Sequence, residues 1–228
     1  DRLRSRGLGD VYKRQEYGTM DDFKNLIAAC HERGINVIID LVMNHTSSQH
    51  EWFKTAADYL KNLPEGAEPD ASECPYVDYY NFSKEMQGGY SKLDGTDWYY
   101  EAQFWSEMAD LNLGSQAVRD EFDKIVDFWL DLGVDGFRLD AAKEYYSGSV
   151  DKNVEVLSWF HSMVKEKKED AYIVAEVWTD QNTYAKYYES GIDSCFDFSF
   201  ADSTGTITSV LKNGSASSYG KALVNLQD

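Results

Sequence analysis

A repeated order of amphipathic helix, glycine and apolar strand constrains this fold more than any other feature. In the first unit, the apolar residues at helical spacing are Phe23, Leu26, Ile27 and Cys30. Gly34 ends this helix, and the apolar, β-branched run 35–42 follows at once. Such a run is typical of a parallel strand that is covered on both faces. The first unit therefore predicts a helix followed by a buried strand.

The same order occurs twice more along the chain. The second helix carries Val118, Phe122, Ile125, Val126, Trp129 and Leu130. Gly133 ends it and the run 134–139 predicts its strand, while a third helix around Phe160 precedes a strand at 171–175. A fourth strand is expected near 194–200, although Asp197 interrupts it. Helices that alternate with buried strands predict a parallel α/β sheet or barrel, and no G-x-G-x-x-G supports a dinucleotide-binding version.

Between residues 46 and 113 the alternation lapses. The three prolines of the chain, Pro64, Pro69 and Pro75, all lie there, together with many aromatic residues. A structureless loop of this length is improbable inside a compact domain, so we predict an inserted subdomain after the first strand. Its aromatic residues are expected mainly to pack a small core, and stacking on sugar rings is the alternative.

Net charge, cysteine spacing and hydropathy exclude several kinds of partner and site. A formal net charge of -18 disfavours nucleic acid and anionic membranes as partners. Cys30, Cys74 and Cys195 form no C-x-x-C pair and indicate three ordinary thiols. No apolar run approaches the roughly 20 residues that cross a bilayer.

Residues 1–15 are basic and aperiodic, and they resemble translated sequencing-adapter sequence; a solvated basic tail is the alternative.

Charged residues follow three of the predicted strands. Asp40 lies in the first strand, Arg138 and Asp140 end the second, and Glu176 follows the third. In α/β barrels the carboxyl ends of the strands meet around one site. Arg138 and Asp140 are two residues apart and therefore share a face, where the guanidinium would keep the carboxylate ionised, as a nucleophile requires. Glu176 would be the second carboxylate.

Two carboxylates around a sugar acetal are the equipment of a glycoside hydrolase, and a separation of about 5 Å predicts retention of configuration. Other interpretations stay open for single residues. Arg138 and Asp140 could form a structural ion pair, and His45 could be a hydrogen-bonded core histidine. Trp178 is interpreted as a packing residue, with a place in the pocket wall as the alternative. Convergence on three consecutive strand ends favours the catalytic interpretation.

Four motifs carry a resemblance to a known family. DLVMNH (40–45), GFRLDAAK (136–143) and AEVW (175–178) resemble the first three signature regions of the α-amylase family, glycoside hydrolase family 13, and MADLN (108–112) resembles a further motif at the end of its inserted domain B. The resemblance implies part of a TIM (β/α)8 barrel, roughly strands 3 to 6, with domain B after strand 3. The expected domains are the barrel, 16–45 with 114–228, and the insert, 46–113.

The resemblance also implies roles for single residues. Asp140 matches the nucleophile of the family and Glu176 its general acid/base. His45 and Arg138 match residues that contact the sugar beside the cleaved bond, and Lys143 matches a subsite residue on the leaving-group side. Asp40 matches a structural acid near the arginine. Each of these assignments is an expectation from the matched motif.

A calcium ion is a further implication of the family resemblance. Asn44 and Asp110 match ligands of the structural Ca²⁺ that many members hold between the barrel and domain B, and oxygen ligands of this kind suit calcium. Many α-amylases carry a histidine directly after the lysine, and its carbonyl also binds that ion. Glu144 stands at that position here. Glu144 also has a backbone carbonyl, so this ligand does not depend on the histidine side chain.

The chain also departs from the pattern of the family. The fourth signature region, an Asn-His-Asp triplet that supplies a third carboxylate, is absent from the sequence. We therefore expect a truncated fragment that is poorly soluble and at best weakly active alone, because an incomplete barrel exposes strand edges.

The expected substrate of the whole enzyme is an α-1,4-glucan; the segment 44–53 resembles oligo-1,6-glucosidases instead. Transglycosylation, a non-catalytic relative and a carbohydrate-binding module are the alternatives, and the family favours secretion or a cell-surface location.

Overall fold

The computed structural model describes residues 18–213 and 215–225. The segment 1–15, predicted to be non-native or disordered, lies outside the described residues. Within the part of the chain that is described, no helix is both long and apolar enough to span a membrane.

Short strands and longer helices alternate along most of the chain. The strands are β1 (Ile38–Leu41), β2 (His45–Ser47), β3 (Phe82–Ser83), β4 (Tyr90–Lys92), β5 (Tyr99–Glu101), β6 (Met108–Asp110), β7 (Gly136–Leu139), β8 (Tyr172–Ala175) and β9 (Ser194–Cys195). The helices are α1 (Met20–His31), α2 (Glu51–Asn62), α3 (Gln116–Asp131), α4 (Val150–Lys167), α5 (Gln181–Tyr184), α6 (Phe198–Ala201), α7 (Thr206–Asn213) and α8 (Ala216–Asn225). The three predicted helix and strand units are all present.

The central sheet is parallel, in the order β1-β7-β8-β9. Asp40 pairs with Arg138, and Arg138 pairs in turn with Val174. The neighbouring strands are those that the repeated units predicted. Because the strands are parallel and in register, the residues that follow them emerge at one edge of the sheet.

Among the described residues, helices cover one face of this sheet. The ring of Phe137 on β7 packs edge-on against Phe160 of α4 at 5.9 Å, and Phe23 of α1 packs against Trp129 of α3 at 5.5 Å. On the opposite face, Ile38 is 38% exposed and Tyr172 is 44% exposed. The expectation that the first strand is covered on both faces stays a prediction, because the described residues cover only the face that carries Phe137.

The spacing of Leu26 and its apolar neighbours does predict the helix α1, in which Ile27 is buried and Leu26 is 54% exposed. One local prediction needs correction. The fourth strand ends at Cys195 instead of continuing to 200. Its continuation is a helix, because the side chain of Asp197 accepts a hydrogen bond from Phe200 N–H and so caps α6.

The region between β1 and α3 builds small antiparallel sheets of its own. One pairs β2 with β6, and the other has the order β3-β5-β4. Phe53 of α2 contacts Tyr80 at 5.2 Å and Tyr100 at 4.7 Å, so these aromatic rings do pack a core. The pairing of β2 with β6 places Asp110 opposite His45. The division into 16–45 with 114–228 and 46–113 stays a prediction.

Asp135 anchors the end of the sheet that is opposite the strand carboxyl ends. Its carboxylate accepts hydrogen bonds from Val37 N–H at 2.7 Å, His31 Nε2 at 2.7 Å and Lys168 Nζ at 2.9 Å. Burial opposes ionisation of this group, but the bonds from Val37, His31 and Lys168 outweigh it and lower its pKa to about 2. Asp193 has the same role before β9, where its carboxylate accepts hydrogen bonds from Ile173 N–H and Lys165 Nζ.

We expect Asp135→Asn to lower the free energy of unfolding at pH 7 by about 2 kcal/mol, because a charged acceptor of three hydrogen bonds is lost. The folded pKa lies below the ordinary value of 3.8, so this contribution is present above about pH 4 and is lost as pH falls through about 2. Urea unfolding at pH 7 and at pH 3 measures both effects. Asp131→Asn, at the exposed end of α3, is the control and should change little. Equal losses in the two variants would contradict the anchor.

Candidate active site

The carboxyl ends of β1, β7 and β8 bring together three carboxylates and one guanidinium. Arg138 donates from Nη1 to Asp40 Oδ1 at 2.8 Å, from Nη1 to Asp140, and from Nη2 to Glu176 Oε2 at 2.7 Å. These contacts join residues up to 98 positions apart. The tertiary structure therefore gathers Asp40, Arg138, Asp140 and Glu176 in one hydrogen-bonded cluster, which we call the Arg138 cluster.

The Arg138 cluster is half-sheltered from water. The side chains of Arg138, Asp140 and Glu176 are 23%, 17% and 20% exposed, whereas that of Asp40 is 44% exposed. Burial disfavours the charged guanidinium, but the hydrogen bonds that it donates to Asp40 and Asp140 outweigh this effect and raise the pKa of Arg138 above its ordinary value. Arg138 is thus a permanent cation that holds and orients the carboxylates around it.

A strained turn after Asp140 adds a second hold on Glu176. Ala141 has φ +49 and ψ +36, the left-handed region that costs a non-glycine residue about 1–3 kcal/mol. Its N–H donates to Glu176 Oε2 at 3.1 Å, and Ala142 N–H donates to the carbonyl of Glu176 at 3.0 Å. The sequence does not predict this contact, because no residue type around Ala141 indicates a left-handed conformation.

His45 and Lys143, the other predicted substrate-binding residues, lie on different elements. His45 begins β2, is buried, and packs edge-on against the ring of Phe104 at 5.8 Å. Lys143 lies in the short turn after Asp140, where its Nζ pairs with Glu144 Oε1 at 2.9 Å. That pairing, with the bond from Ser147, lowers the pKa of Glu144 in spite of its partial burial.

Asn44 and Asp110, the two predicted calcium ligands, are in contact. Asn44 Nδ2 donates to Asp110 Oδ1 at 3.2 Å, and Gln103 N–H donates to Asp110 Oδ2 at 2.9 Å. Burial raises the pKa of Asp110 to about 7. Within the described residues, no group of three or more His, Cys, Asp or Glu side chains is arranged to hold a metal ion. Asn44 and Asp110 therefore provide two oxygen-bearing side chains, to which calcium would add backbone or water oxygens.

An aromatic wall lies next to the Arg138 cluster. Trp178 is 60% exposed and stacks on Phe198, with ring centroids 4.8 Å apart and planes at 13°. Phe196 is 41% exposed, and Arg138 Cζ lies 5.9 Å from its ring centre. Trp178 thus packs on Phe198 with one face of its ring, while much of its surface is exposed among the described residues, so packing and a place in the pocket wall both stay open for this residue.

This chain is similar to one family model and to several known proteins. The family model described as the catalytic domain of alpha-amylase matches residues 10–221, so it overlaps the last residues of the predicted non-native segment. Alpha-amylase 3 of Dictyoglomus thermophilum is 45% identical over 188 residues, which are 82% of this chain and 35% of that protein. The trehalose synthase/amylase of Mycolicibacterium smegmatis is 37% identical over 173 residues, 69% of this chain and 27% of that protein.

A solved structure shows the same fold. Amy13B of Eubacterium rectale superposes with a TM-score of 0.91 at 58% identity, covering 93% of this chain and 42% of that one. The predicted fold class, part of a TIM barrel of the α-amylase type, is therefore confirmed. The chain spans less than half the length of each of these three proteins.

Proposed function

Because this chain belongs to the α-amylase family, glycoside hydrolase family 13, we propose that the protein containing it hydrolyses α-1,4-glucans, such as starch and malto-oligosaccharides, with retention of configuration. One observation carries the proposal: Arg138 donates hydrogen bonds to both Asp140 and Glu176. Two carboxylates that share one guanidinium lie close together, which fits the separation of about 5 Å in retaining glycosidases.

In the first step Asp140 acts as the nucleophile. An oxygen of its carboxylate forms a bond to the anomeric carbon, and the bond from that carbon to the leaving-group oxygen breaks. Glu176, in its protonated form, gives its proton to the departing oxygen, so that the leaving sugar departs as a neutral alcohol. Arg138 supports this step because its hydrogen bond fixes the orientation of the Asp140 carboxylate.

In the second step Glu176 acts as a base. It takes a proton from water while the water oxygen attacks the anomeric carbon and displaces Asp140, which returns as a carboxylate. Two inversions give net retention. The bonds from Arg138 Nη2 and Ala141 N–H to Glu176 Oε2 orient the carboxyl through both steps.

The other predicted site residues have supporting roles in this proposal. His45, held by its packing against Phe104, contacts the sugar beside the cleaved bond. Lys143 contacts the sugar on the leaving-group side. Binding of the sugar there competes with the ion pair between Lys143 and Glu144. Asp40 shares Nη1 of Arg138 with Asp140 and so holds the guanidinium in place.

Calcium is part of the proposal as a structural ion. Asp110 is 4% exposed, and within the described residues no lysine or arginine pairs with it, so a cation would offset the cost of its burial. Asn44 would present its amide oxygen after a half-turn of the side chain. Bound between them, the ion would tie the end of β1 to the insert and supply positive charge to Asp110.

Two neighbouring activities are the alternatives. Cleavage of α-1,6 bonds or transglycosylation would use the same two carboxylates, since the chemistry differs only in the sugar bond presented and in the acceptor. A non-catalytic relative is disfavoured, because Asp140 and Glu176 are both present and both contact Arg138.

The test follows new reducing ends when the longest natural form of the protein is incubated with soluble starch. We expect release from starch and little release from panose, which offers an α-1,6 bond. Faster cleavage of panose would favour the oligo-1,6-glucosidase alternative. A folded protein that cleaves neither substrate would overturn the hydrolase assignment.

A further inference from the structure

We propose that Asn153 is a positioning residue of this active site: its buried side-chain amide fixes the turn after Asp140 and so sets where Lys143 meets the sugar on the leaving-group side. This inference rests on the proposed function and adds to it a residue that acts through Lys143. We call residues 142–149 the Lys143 turn.

Asn153 is a polar residue at a place where its helix buries apolar side chains. It lies near the beginning of α4 and is 1% exposed. Val156, Leu157 and Phe160 follow it at helical spacing and are all fully buried. A buried amide costs free energy unless its polar atoms are hydrogen-bonded, and asparagine is a poor residue for the interior of a helix. We therefore expect Asn153 to have a role that an apolar residue could not fill.

The amide of Asn153 forms hydrogen bonds with three partners. Its Oδ1 accepts from Tyr146 N–H at 2.7 Å, and its Nδ2 donates to the carbonyl of Lys143 at 2.6 Å and to Tyr187 Oη at 3.1 Å. The two backbone partners fix the orientation of the amide, because an N–H can only donate and a carbonyl can only accept. Side chains of a helix are directed toward its N-terminus, which here follows the Lys143 turn. One side chain thus pairs with two backbone groups of that turn.

The Lys143 turn is held from its other side by the acid/base. Ala142 N–H donates to the carbonyl of Glu176 at 3.0 Å, so the residue before Lys143 is tied to the end of β8. Asn153 holds the carbonyl of Lys143 itself. Between these two bonds the Cα atom of Lys143 has a fixed place, shortly after Asp140 in the chain. Loss of the Asn153 bonds would free the later part of the turn and leave the bond to Glu176 intact.

The charged end of Lys143 depends on the same turn. Its Nζ pairs with Glu144 Oε1 at 2.9 Å, and Ser147 Oγ donates to Glu144 Oε2 at 2.8 Å. The lysine side chain is 42% exposed, and a long flexible side chain of this kind has many conformations. A fixed backbone and a partner in the same turn limit the positions of its ammonium group. A shift of the turn therefore displaces the group that contacts the sugar.

The two catalytic carboxylates depend less on the Lys143 turn. Arg138 donates hydrogen bonds to both Asp140 and Glu176 from the neighbouring strand β7. A loosened turn is therefore expected to weaken contact with the leaving-group sugar more than it disturbs bond cleavage. This difference separates a positioning role of Asn153 from a general role in stability.

Tyr187 offers a milder way to disturb the same connection. It lies in the short helical segment Ala185–Ser190 after β8, is fully buried, and its hydroxyl accepts one N–H of the Asn153 amide. Tyr187→Phe removes this bond and leaves the ring in place. The amide then keeps its two backbone partners but loses the third contact that holds it.

The experiment compares two substrates that differ in the leaving group, using the longest natural form of the protein. Maltoheptaose presents a sugar on the leaving-group side, whereas maltosyl fluoride releases fluoride and presents no sugar to Lys143. We expect Asn153→Leu, which keeps a side chain of similar size, to lower kcat/KM on maltoheptaose about tenfold and on maltosyl fluoride much less. Tyr187→Phe should show the same selectivity with a loss of about threefold on maltoheptaose.

Two further variants complete the test. Asn62→Leu, at the exposed end of α2, is the matched control, because its amide also donates to a backbone carbonyl, that of Asp58. It should change neither substrate. Lys143→Ala should show the selectivity of Asn153→Leu, and the double variant should lose little more on maltoheptaose, since both substitutions remove the same contact with the sugar.

Several outcomes overturn the inference while leaving the hydrolase assignment intact. These are equal losses on both substrates, losses that multiply in the double variant, or a Lys143→Ala protein without selectivity. If Asn153→Leu does not fold, Tyr187→Phe alone and combined with Lys143→Ala decides by the same comparisons, and an unselective Tyr187→Phe protein would then refute the inference. A folded parent protein that cleaves neither substrate would instead refute the proposed function.

Discussion

Asp140→Asn is expected to lower kcat on starch by at least about 10⁴-fold, because an amide oxygen is too weak a nucleophile to attack the anomeric carbon. The substitution keeps the shape of the side chain and one acceptor for Arg138. We therefore expect the melting temperature to change by only a few degrees. Reducing-end release, followed with the longest natural form, measures the loss, and thermal unfolding shows that the variant is folded.

Asp40→Asn is the matched control for this substitution. Asp40 contacts the same Nη1 of Arg138, at 2.8 Å, but its side chain is more exposed and it is not the proposed nucleophile. We expect a loss of at most about 100-fold, through a less firmly held guanidinium. If both variants lost activity equally, the effect would belong to the charge balance of the Arg138 cluster, and Asp140 would not be identified as the nucleophile.

Gly136→Ala is expected to prevent stable folding, with a cost above about 4 kcal/mol. Gly136 begins β7 in the middle of the parallel sheet, and a Cβ atom there would lie 1.9 Å from the carbonyl oxygen of Tyr172 on β8. The backbone of the neighbouring strand cannot move away without breaking its ladder of hydrogen bonds. Only glycine permits this close approach.

Soluble yield and the melting temperature measure this effect. Gly88→Ala is the matched control, since a Cβ at Gly88 would meet nothing within 4 Å and its φ is not in the left-handed region. We expect the control to behave as the parent. A Gly136→Ala protein with an unchanged melting temperature would show that β7 and β8 are not as close at this position as the structure places them.

Much of the Arg138 cluster was predictable from the sequence for a simple reason. Arg138 and Asp140 are two residues apart in a strand, so their shared face follows from the period of the strand. The helix and strand units then place Asp40 and Glu176 at the ends of neighbouring parallel strands. Their contacts with Arg138 follow from register, although their distances do not.

Other features depended on groups that no local pattern connects. The left-handed turn at Ala141 is stabilised by its hydrogen bond to Glu176, 35 residues away in the sequence. The helix that begins at Phe198 replaces a predicted strand because Asp197 caps it.

By itself the sequence determined the order of the main helices and strands and the family, and it predicted the position of the insert and the two catalytic carboxylates. Each of these depends on periodicity or on short motifs, which are local. Only the tertiary structure decided that one guanidinium serves three carboxylates and that Trp178 is an open ring beside Glu176. The reason is physical: exposure and hydrogen-bond geometry depend on which distant segments meet, and that is settled by packing.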